Sequence, residues 1–105
     1  MREKPPDCPI ARTAMILGTR WTAQILREMM DHGPRRFQDL ADALPGIAPN
    51  TLSSRLKMLE ASEVVAREFY EDHPPRAAYT LTAKGEKMRV ILNAMRMWGT
   101  RYAPR

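Results

Sequence analysis

Cysteine and histidine are scarce in this chain, which has one cysteine and two histidines among 105 residues. A single cysteine excludes a disulfide framework and a multi-cysteine zinc site within the chain, and it fits a reducing, cytoplasmic setting. His32 and His73 are far apart in sequence and lack a cysteine or carboxylate at metal-ligand spacing. The chain also lacks a glycine-rich phosphate loop and a nucleophile elbow. We therefore expect no enzyme activity, no metal and no cofactor.

Long apolar runs are missing as well. Residues 1–18 contain too short an apolar run for a signal peptide and too many interruptions for a membrane span. Positive charge is abundant: 17 Lys and Arg against 12 Asp and Glu give a net charge of +5 and a pI near 9.9. This balance favours a polyanionic partner, with nucleic acid as the first candidate and an anionic membrane surface as the second. We adopt nucleic acid and no membrane.

The hydrophobic periodicity predicts a mainly α fold with one small β-hairpin (α+β). We expect a flexible arm at residues 1–7 and a single domain over residues 8–105. Cys8 is the N-cap candidate of a first helix that begins at Pro9 and ends at Gly18. The residues expected to face inward on this helix recur at helical spacing and are Ile10, Ala14 and Leu17.

Two more helices are predicted before residue 45. Thr19 is the expected cap of a helix over residues 20–31, with Trp21 as its core anchor and Glu28 facing solvent. The helix over residues 37–44 is expected to keep Asp39 and Asp42 on its solvated face. Its inward residues are Phe37, Leu40, Ala41 and Leu44.

Residues 49–62 form the helix around which the other elements are arranged. Its buried stripe, at i, i+4 and i+7, consists of Leu52, Leu56 and Leu59. The opposite face carries Asn50, Ser54 and Lys57. Short hydrogen-bonding side chains and a cation can contact base edges and phosphates in a DNA major groove, although the same pattern also fits an ordinary solvated face.

The neighbouring segments favour DNA. The Pro45-Gly46 turn makes the third and fourth helices a helix-turn-helix, and the period then changes to that of strands at residues 64–70 and 77–81. The two prolines of the intervening EDHPPR segment predict a stiff, protruding loop and exclude a two-residue turn. The whole is a winged helix, with Arg76 at the base of the wing, where it either contacts DNA or is an ordinary surface arginine.

Thr82 is the expected cap of a last helix over residues 83–101. This helix has more apolar surface than one domain can cover, as does the first helix, so we expect an identical chain as partner. A dimer would hold two recognition helices about 34 Å apart, on successive major-groove faces. The residues predicted at the dimer interface are Met15, Ile16, Val90, Ile91, Ala94, Met95, Met97 and Trp98.

The order and spacing of these motifs resemble those of the HxlR-type, MarR-like winged helix-turn-helix regulators. The resemblance covers CPIARTAMILGTRWT at residues 8–22, residues 25–85, and LNAMRMWG at residues 92–99. It implies a homodimeric transcriptional regulator of the bacterial cytoplasm that binds a pseudo-palindromic operator. It also implies regulation of nearby genes, often in response to reactive electrophiles, oxidants or aldehydes.

By position, the resemblance places a set of residues at the DNA. Asn50, Ser54 and Lys57 have the best outward geometry, whereas Arg55 lies toward the buried stripe and either reaches a phosphate or is structural. Ala48 and Glu63 depart from the family, which usually has a capping Ser and a helix-ending Gly there. The implied DNA-contacting residues are Arg35, Arg36, Pro49, Asn50, Thr51, Ser53, Ser54, Arg55, Lys57 and Arg76.

Three questions stay open at the level of sequence. Cys8 matches the position of an oxidant-sensing cysteine, and a helix N-terminus stabilises a thiolate, but the alternative is a structural residue at the dimer interface. The eight methionines could line a pocket for a small apolar effector, although packing explains them as well. A winged-helix module that binds protein is the alternative to a DNA-binding regulator.

Overall fold

A computed structural model describes residues 6–105, so most of the arm predicted at residues 1–7 lies outside the described residues. The chain forms six helices and one hairpin in this part. The elements are α1 (Pro9–Leu17), α2 (Thr22–His32), α3 (Phe37–Ala43), α4 (Pro49–Ala61), β1 (Val65–Asp72), β2 (Pro75–Leu81), α5 (Ala83–Glu86) and α6 (Arg89–Tyr102). This is the predicted winged helix-turn-helix with additional helices at both ends.

The core lies where α2, α3 and α4 meet the base of the hairpin. The three leucines of the predicted stripe, Leu52, Leu56 and Leu59, are at most 1% exposed. They pack with residues of α2, α3, β1 and α6, which removes apolar surface from water and fixes α4 against the rest of the chain. The other core residues are Ile25, Leu26, Met29, Met30, Leu40, Leu44, Val64, Val65, Met88 and Leu92.

The start of α2 differs from the prediction. The helix begins at Thr22 rather than Arg20, because Trp21 adopts a left-handed conformation with φ of 81°. Thr19 caps no backbone N–H; its hydroxyl lies 2.7 Å from that of Thr22. Trp21 is half-buried at the margin of the core, so it packs there without being its centre.

The first helix is less buried than predicted. Ile10 is 80% exposed and Ala14 is exposed, whereas Ile16 and Leu17 pack partly against the core. The burial pattern of α1 is therefore rotated from the expected stripe, because α1 touches the core through its C-terminal end alone. Ile10 joins the apolar surface that the chain leaves uncovered.

The wing turn also differs from the prediction. The antiparallel register pairs Asp72 with Pro75, so the connection is the two-residue segment His73–Pro74, with a cis peptide bond. The argument from two prolines was wrong because Pro74 occupies the turn and Pro75 is the first residue of β2, where a strand tolerates proline.

The last helix is divided into two pieces. Thr82 caps α5 as predicted, with its hydroxyl accepting the Gly85 N–H at 3.0 Å. The chain then turns at residues 87–88 before α6 begins. Met88 and Leu92 enter the core, whereas Met95, Trp98 and Tyr102 further along the helix remain exposed. The turn explains this, since it directs the later part of α6 away from the core.

Candidate nucleic-acid interface

The outer face of α4 is polar, cationic and accessible. Asn50, Ser54 and Lys57 are all exposed, directly opposite the buried leucines. Pro49 begins the helix and is exposed, and Thr51 and Ser53 are half-buried at the sides of this face. The geometry therefore presents the three side chains that sequence periodicity favoured, with two hydroxyl groups flanking them.

Arg55 occupies an intermediate position on α4. It is half-buried, and its Nε atom is buried without a hydrogen-bond partner among the described residues. This placement agrees with the predicted location beside the buried stripe. The placement is compatible with either role, a phosphate contact or a structural one, since the guanidinium contains further N–H donors beyond Nε.

Arg36 stands at the N-terminus of α3, where it forms a capping box with Asp39. The Arg36 N–H donates to the Asp39 carboxylate at 2.9 Å, which lowers the pKa of Asp39. Contact with the Tyr70 hydroxyl, and then with Asp39, raises the pKa of Arg36. Asp39 therefore caps the helix from its solvent-accessible face, a role that the sequence analysis did not assign to it.

Arg35, the neighbour of Arg36, is directed into the protein. Its guanidinium donates to the carboxylate of Glu28 at 3.1 Å, and Arg27 donates to the same carboxylate at 2.9 Å. Glu28 is 6% exposed, so the prediction that it faces solvent was wrong. Two arginines compensate the buried charge. The Arg35 backbone also pairs with Tyr79 of β2, which joins α2, α3 and the wing.

Arg76 lies beside the turn at the tip of the wing, so its predicted place at the base of the wing was wrong. It is half-exposed and pairs with Glu71 at 3.3 Å. Tyr70 has no counterpart on β2, because the register shifts between Phe69 and Glu71. Such a bulge redirects a side chain, and Tyr70 shares a cleft with Arg36 and Arg76. Sequence reasoning missed Tyr70, since a bulge has no distinct signal in a strand-like run.

A second exposed surface is apolar and spans α1 and α6. Ile16 and Ile91 of the predicted interface are half-buried against the core, whereas the remaining members are exposed. Val90 is 72% and Met97 74% exposed, and both belong to a group of exposed apolar side chains rather than standing alone. The exposed members of this surface are Ile10, Met15, Val90, Ala94, Met95, Met97, Trp98 and Tyr102.

Cys8 occupies the predicted N-cap of α1. It makes no side-chain capping bond, and its thiol is exposed. Its carbonyl oxygen accepts the Arg12 N–H at 3.0 Å, which is the first bond of the helix. The position is therefore accessible to a small oxidant and lies at one end of the apolar surface.

Known proteins resemble this arrangement over nearly the whole chain. Residues 16–105 match the HxlR-like helix-turn-helix family. The chain belongs to this family. The transcriptional regulator YodB of Bacillus subtilis is 35% identical over 96 residues, 90% of this chain and 85% of YodB. An uncharacterized HTH-type regulator of Synechocystis, sll1512, is 40% identical over 93 residues, 89% of this chain and 68% of that protein.

Solved structures agree with the family assignment. The reduced form of YodB has a TM-score of 0.77 at 35% identity, covering 92% of this chain and 95% of that one. The oxidized form of the redox regulator HypR has a TM-score of 0.86 at 32% identity, covering 93% and 100%. YodB is also known in a diamide-treated form and HypR in a reduced form. The protein is thus a DNA-binding transcriptional regulator of the HxlR family.

The family assignment leaves the individual site residues as predictions. Within residues 6–105, no group of three histidine, cysteine or acidic side chains is placed to hold a metal ion. No helix in the same range has the length and apolar character needed to cross a membrane.

Proposed function

We propose that this HxlR-family protein acts as a homodimer that binds a pseudo-palindromic operator in the cytoplasm. The observation that carries this proposal is the outer face of α4, where Asn50, Ser54 and Lys57 stand exposed above a fully buried leucine stripe. Arg36 and Arg76 lie on the flanking cleft between α3 and the wing. Amide and hydroxyl groups can read base edges, and the cations can hold phosphates on either side.

The two halves of the operator require two copies of α4. The apolar surface on α1 and α6 supports pairing of identical chains, since its members are aliphatic and aromatic side chains that the single chain leaves in water. Burying such a surface would stabilise the dimer through the hydrophobic effect. The exposed end of α6, including Trp98 and Tyr102, extends this surface well beyond the domain core.

Selection of bound sites from random DNA tests the DNA-binding part of the proposal. We expect an inverted repeat whose half-sites are centred about 10 base pairs apart, or a multiple of that distance. Affinity for the selected site should fall steeply with salt, because phosphate contacts release counterions. A chain that shows no affinity for any DNA, even at low salt, would instead be the protein-binding winged-helix module.

Charge insertion tests the homodimer. Met97→Glu and Val90→Glu place a carboxylate on the two most exposed apolar side chains of α6, so both variants should sediment as monomers and lose operator affinity. Ala83→Glu adds the same charge at an exposed position outside this surface and should stay dimeric. Wild-type protein that sediments as a monomer at micromolar concentration would contradict the proposed dimer.

A response to oxidants is a second proposal, supported by the exposed Cys8 thiol and by the redox forms of the relatives YodB and HypR. Diamide would oxidise two Cys8 thiols, one from each protomer, to one disulfide, and would take up their two electrons and two protons. We expect diamide to weaken operator binding and produce a covalent dimer on non-reducing gels. Cys8→Ser should show neither change, and unaltered binding by oxidised wild-type protein would contradict the proposal.

A further inference from the structure

The C-terminal end of α4, the proposed recognition helix, is hydrogen-bonded to the start of α5. The Lys84 amine donates to the Ser62 carbonyl at 2.8 Å, and the Thr82 hydroxyl donates to the Glu63 carbonyl at 2.6 Å. Both contacts join residues about twenty positions apart in sequence. Lys84 also places a positive charge beside the C-terminal carbonyls of α4, where a cation is favourable.

Further contacts hold α5 in place against the segment that follows α4. The Thr82 N–H donates to the Val64 carbonyl at 3.1 Å, so α5 is tied to the root of β1 as well. Gly85 lies directly against the same carbonyl, and a Cβ atom at this position would collide with it. The backbone of α5 is thus in contact with the segment that follows the recognition helix.

A short path connects α5 with α6. Residues 87–88 separate the two helices, and Arg89 donates to Glu86 across the junction at 2.6 Å. Met88 and Leu92 are both less than 10% exposed and fix the first turn of α6 in the core. The contacts of α5 therefore act together with this core packing, and with the ion pair of Arg96 and Asp31 of α2, in setting the direction of α6 relative to α4.

We propose that Thr82 and Lys84 are positioning residues, which set the spacing and rotation between the two recognition helices of the dimer. The inference rests on the proposed function, in which α6 carries the dimer surface and α4 reads the DNA. Neither residue touches DNA in this arrangement. Their bonds to the three carbonyls at the end of α4 transmit the geometry of the dimer surface to the reading face.

Substitution of Lys84 can distinguish a positioning role from a contribution to the stability of the fold. Lys84 is exposed, so water can take the place of its amine at the Ser62 carbonyl once the side chain is removed. Its removal should therefore leave the fold intact while it loosens α4 relative to α6. Thr82 is less suitable for a test, because it also caps α5 through the Gly85 N–H.

The chain offers a matched control. Lys87 is an exposed lysine three residues further on; among the described residues its backbone N–H donates to the Gly85 carbonyl, but its side chain makes no hydrogen bond or ion pair. Lys84→Ala and Lys87→Ala remove the same charge from the same segment, so they should lower overall DNA affinity equally. Lys84→Arg retains a donor for the Ser62 carbonyl.

The experiment measures affinity for a series of operators whose half-sites, taken from the selected site, are moved apart or together by single base pairs. We expect wild type, Lys87→Ala and Lys84→Arg to prefer one spacing sharply. Lys84→Ala should keep the half-site sequence preference but reduce the ratio between best and shifted spacing by about fivefold, the scale of one net hydrogen bond. Thermal unfolding should remain within the range of the control.

Two results would overturn the inference in distinguishable ways. If wild type prefers one spacing and Lys84→Ala shows the same preference, Lys84 has no positioning role although the proposed function stands. If wild type binds single half-sites with the same affinity as paired half-sites at every spacing, the proposed DNA binding by a homodimer is contradicted. The inference about Lys84 is then contradicted too.

Discussion

The guanidinium of Arg35 lies 3.1 Å from the buried carboxylate of Glu28, and this pair connects α2 with the segment that opens the helix-turn-helix. The Arg35 N–H and carbonyl also exchange hydrogen bonds with Tyr79 of β2, at 2.9 and 2.7 Å. Two consecutive arginines thus have different surroundings, since Arg35 points to the interior and Arg36 to the cleft beside the wing. Their effects on stability and on DNA binding should separate.

The first prediction compares these two arginines. Arg35→Gln should lower the free energy of unfolding by about 2 kcal/mol, because a hydrogen bond to a charged, buried carboxylate is lost. Arg36→Gln removes the same charge from an exposed position and should change stability little while weakening DNA binding. Urea unfolding and operator binding of both variants check this. Equal stability of the two variants would mean that Arg27 alone is sufficient to compensate the buried charge of Glu28.

The second prediction concerns the outer face of α4. Lys57→Ala should weaken binding to every DNA sequence and reduce the salt slope by about 1, as expected for one lost phosphate contact. Asn50→Ala should relax the preference at one base position, with a cost of about 1–3 kcal/mol for the preferred base. Binding to a panel of single-base operator variants distinguishes the two.

Lys87→Ala is the charge control for Lys57→Ala, because Lys87 lies on the turn between α5 and α6 rather than on the reading face. A sequence-independent loss of affinity in both Lys57→Ala and Asn50→Ala would show that neither side chain reads a base.

Much of this architecture was accessible from sequence because apolar residues recur at the period of each element. The leucines of α4 and the β-branched and aromatic run after residue 64 are of this kind, and both were placed correctly. The errors arose where local rules compete with tertiary contacts. Glu28 was assigned to solvent as a charged residue, but two arginines from separate positions neutralise it inside the protein.

The ends of elements were harder to predict for a similar reason. Trp21 adopts a left-handed backbone conformation that is not predicted from its residue type, and this moves the start of α2 to Thr22. The last helix is divided close to the point where Gly85 meets the Val64 carbonyl, a contact between segments distant in sequence. Helical periodicity was sufficient to predict the part of the candidate site formed by Asn50, Ser54 and Lys57. The predicted set of site residues lacked Tyr70, which lies at the bulge in β1.

The third prediction uses the pKa of Asp39, which the Arg36 N–H lowers from its ordinary value of 3.8. A carboxyl whose pKa is lower in the folded protein stabilises the fold above the unfolded pKa, and this contribution is lost as the pH falls through the folded value. Asp39→Ala should therefore be less stable than wild type at pH 7, with a difference that shrinks below pH 3.8. Asp42→Ala removes a carboxylate from the same helix without removing the cap. Thermal unfolding across pH checks both, and a constant difference at all pH values would contradict the assignment.

The fourth prediction concerns the residue that ends the recognition helix. Glu63 has a φ of 61°, and the Val64 N–H donates to the Leu59 carbonyl while the Glu63 N–H donates to the Glu60 carbonyl, both at 3.0 Å. This is a Schellman motif, in which glycine is the favoured residue at the left-handed position because it has no Cβ atom. Glu63→Gly should raise the free energy of unfolding by about 1 kcal/mol. Glu63→Ala removes the same charge but keeps the steric cost, so it should leave stability nearly unchanged; equal stabilisation by both variants would assign the effect to charge rather than to backbone conformation.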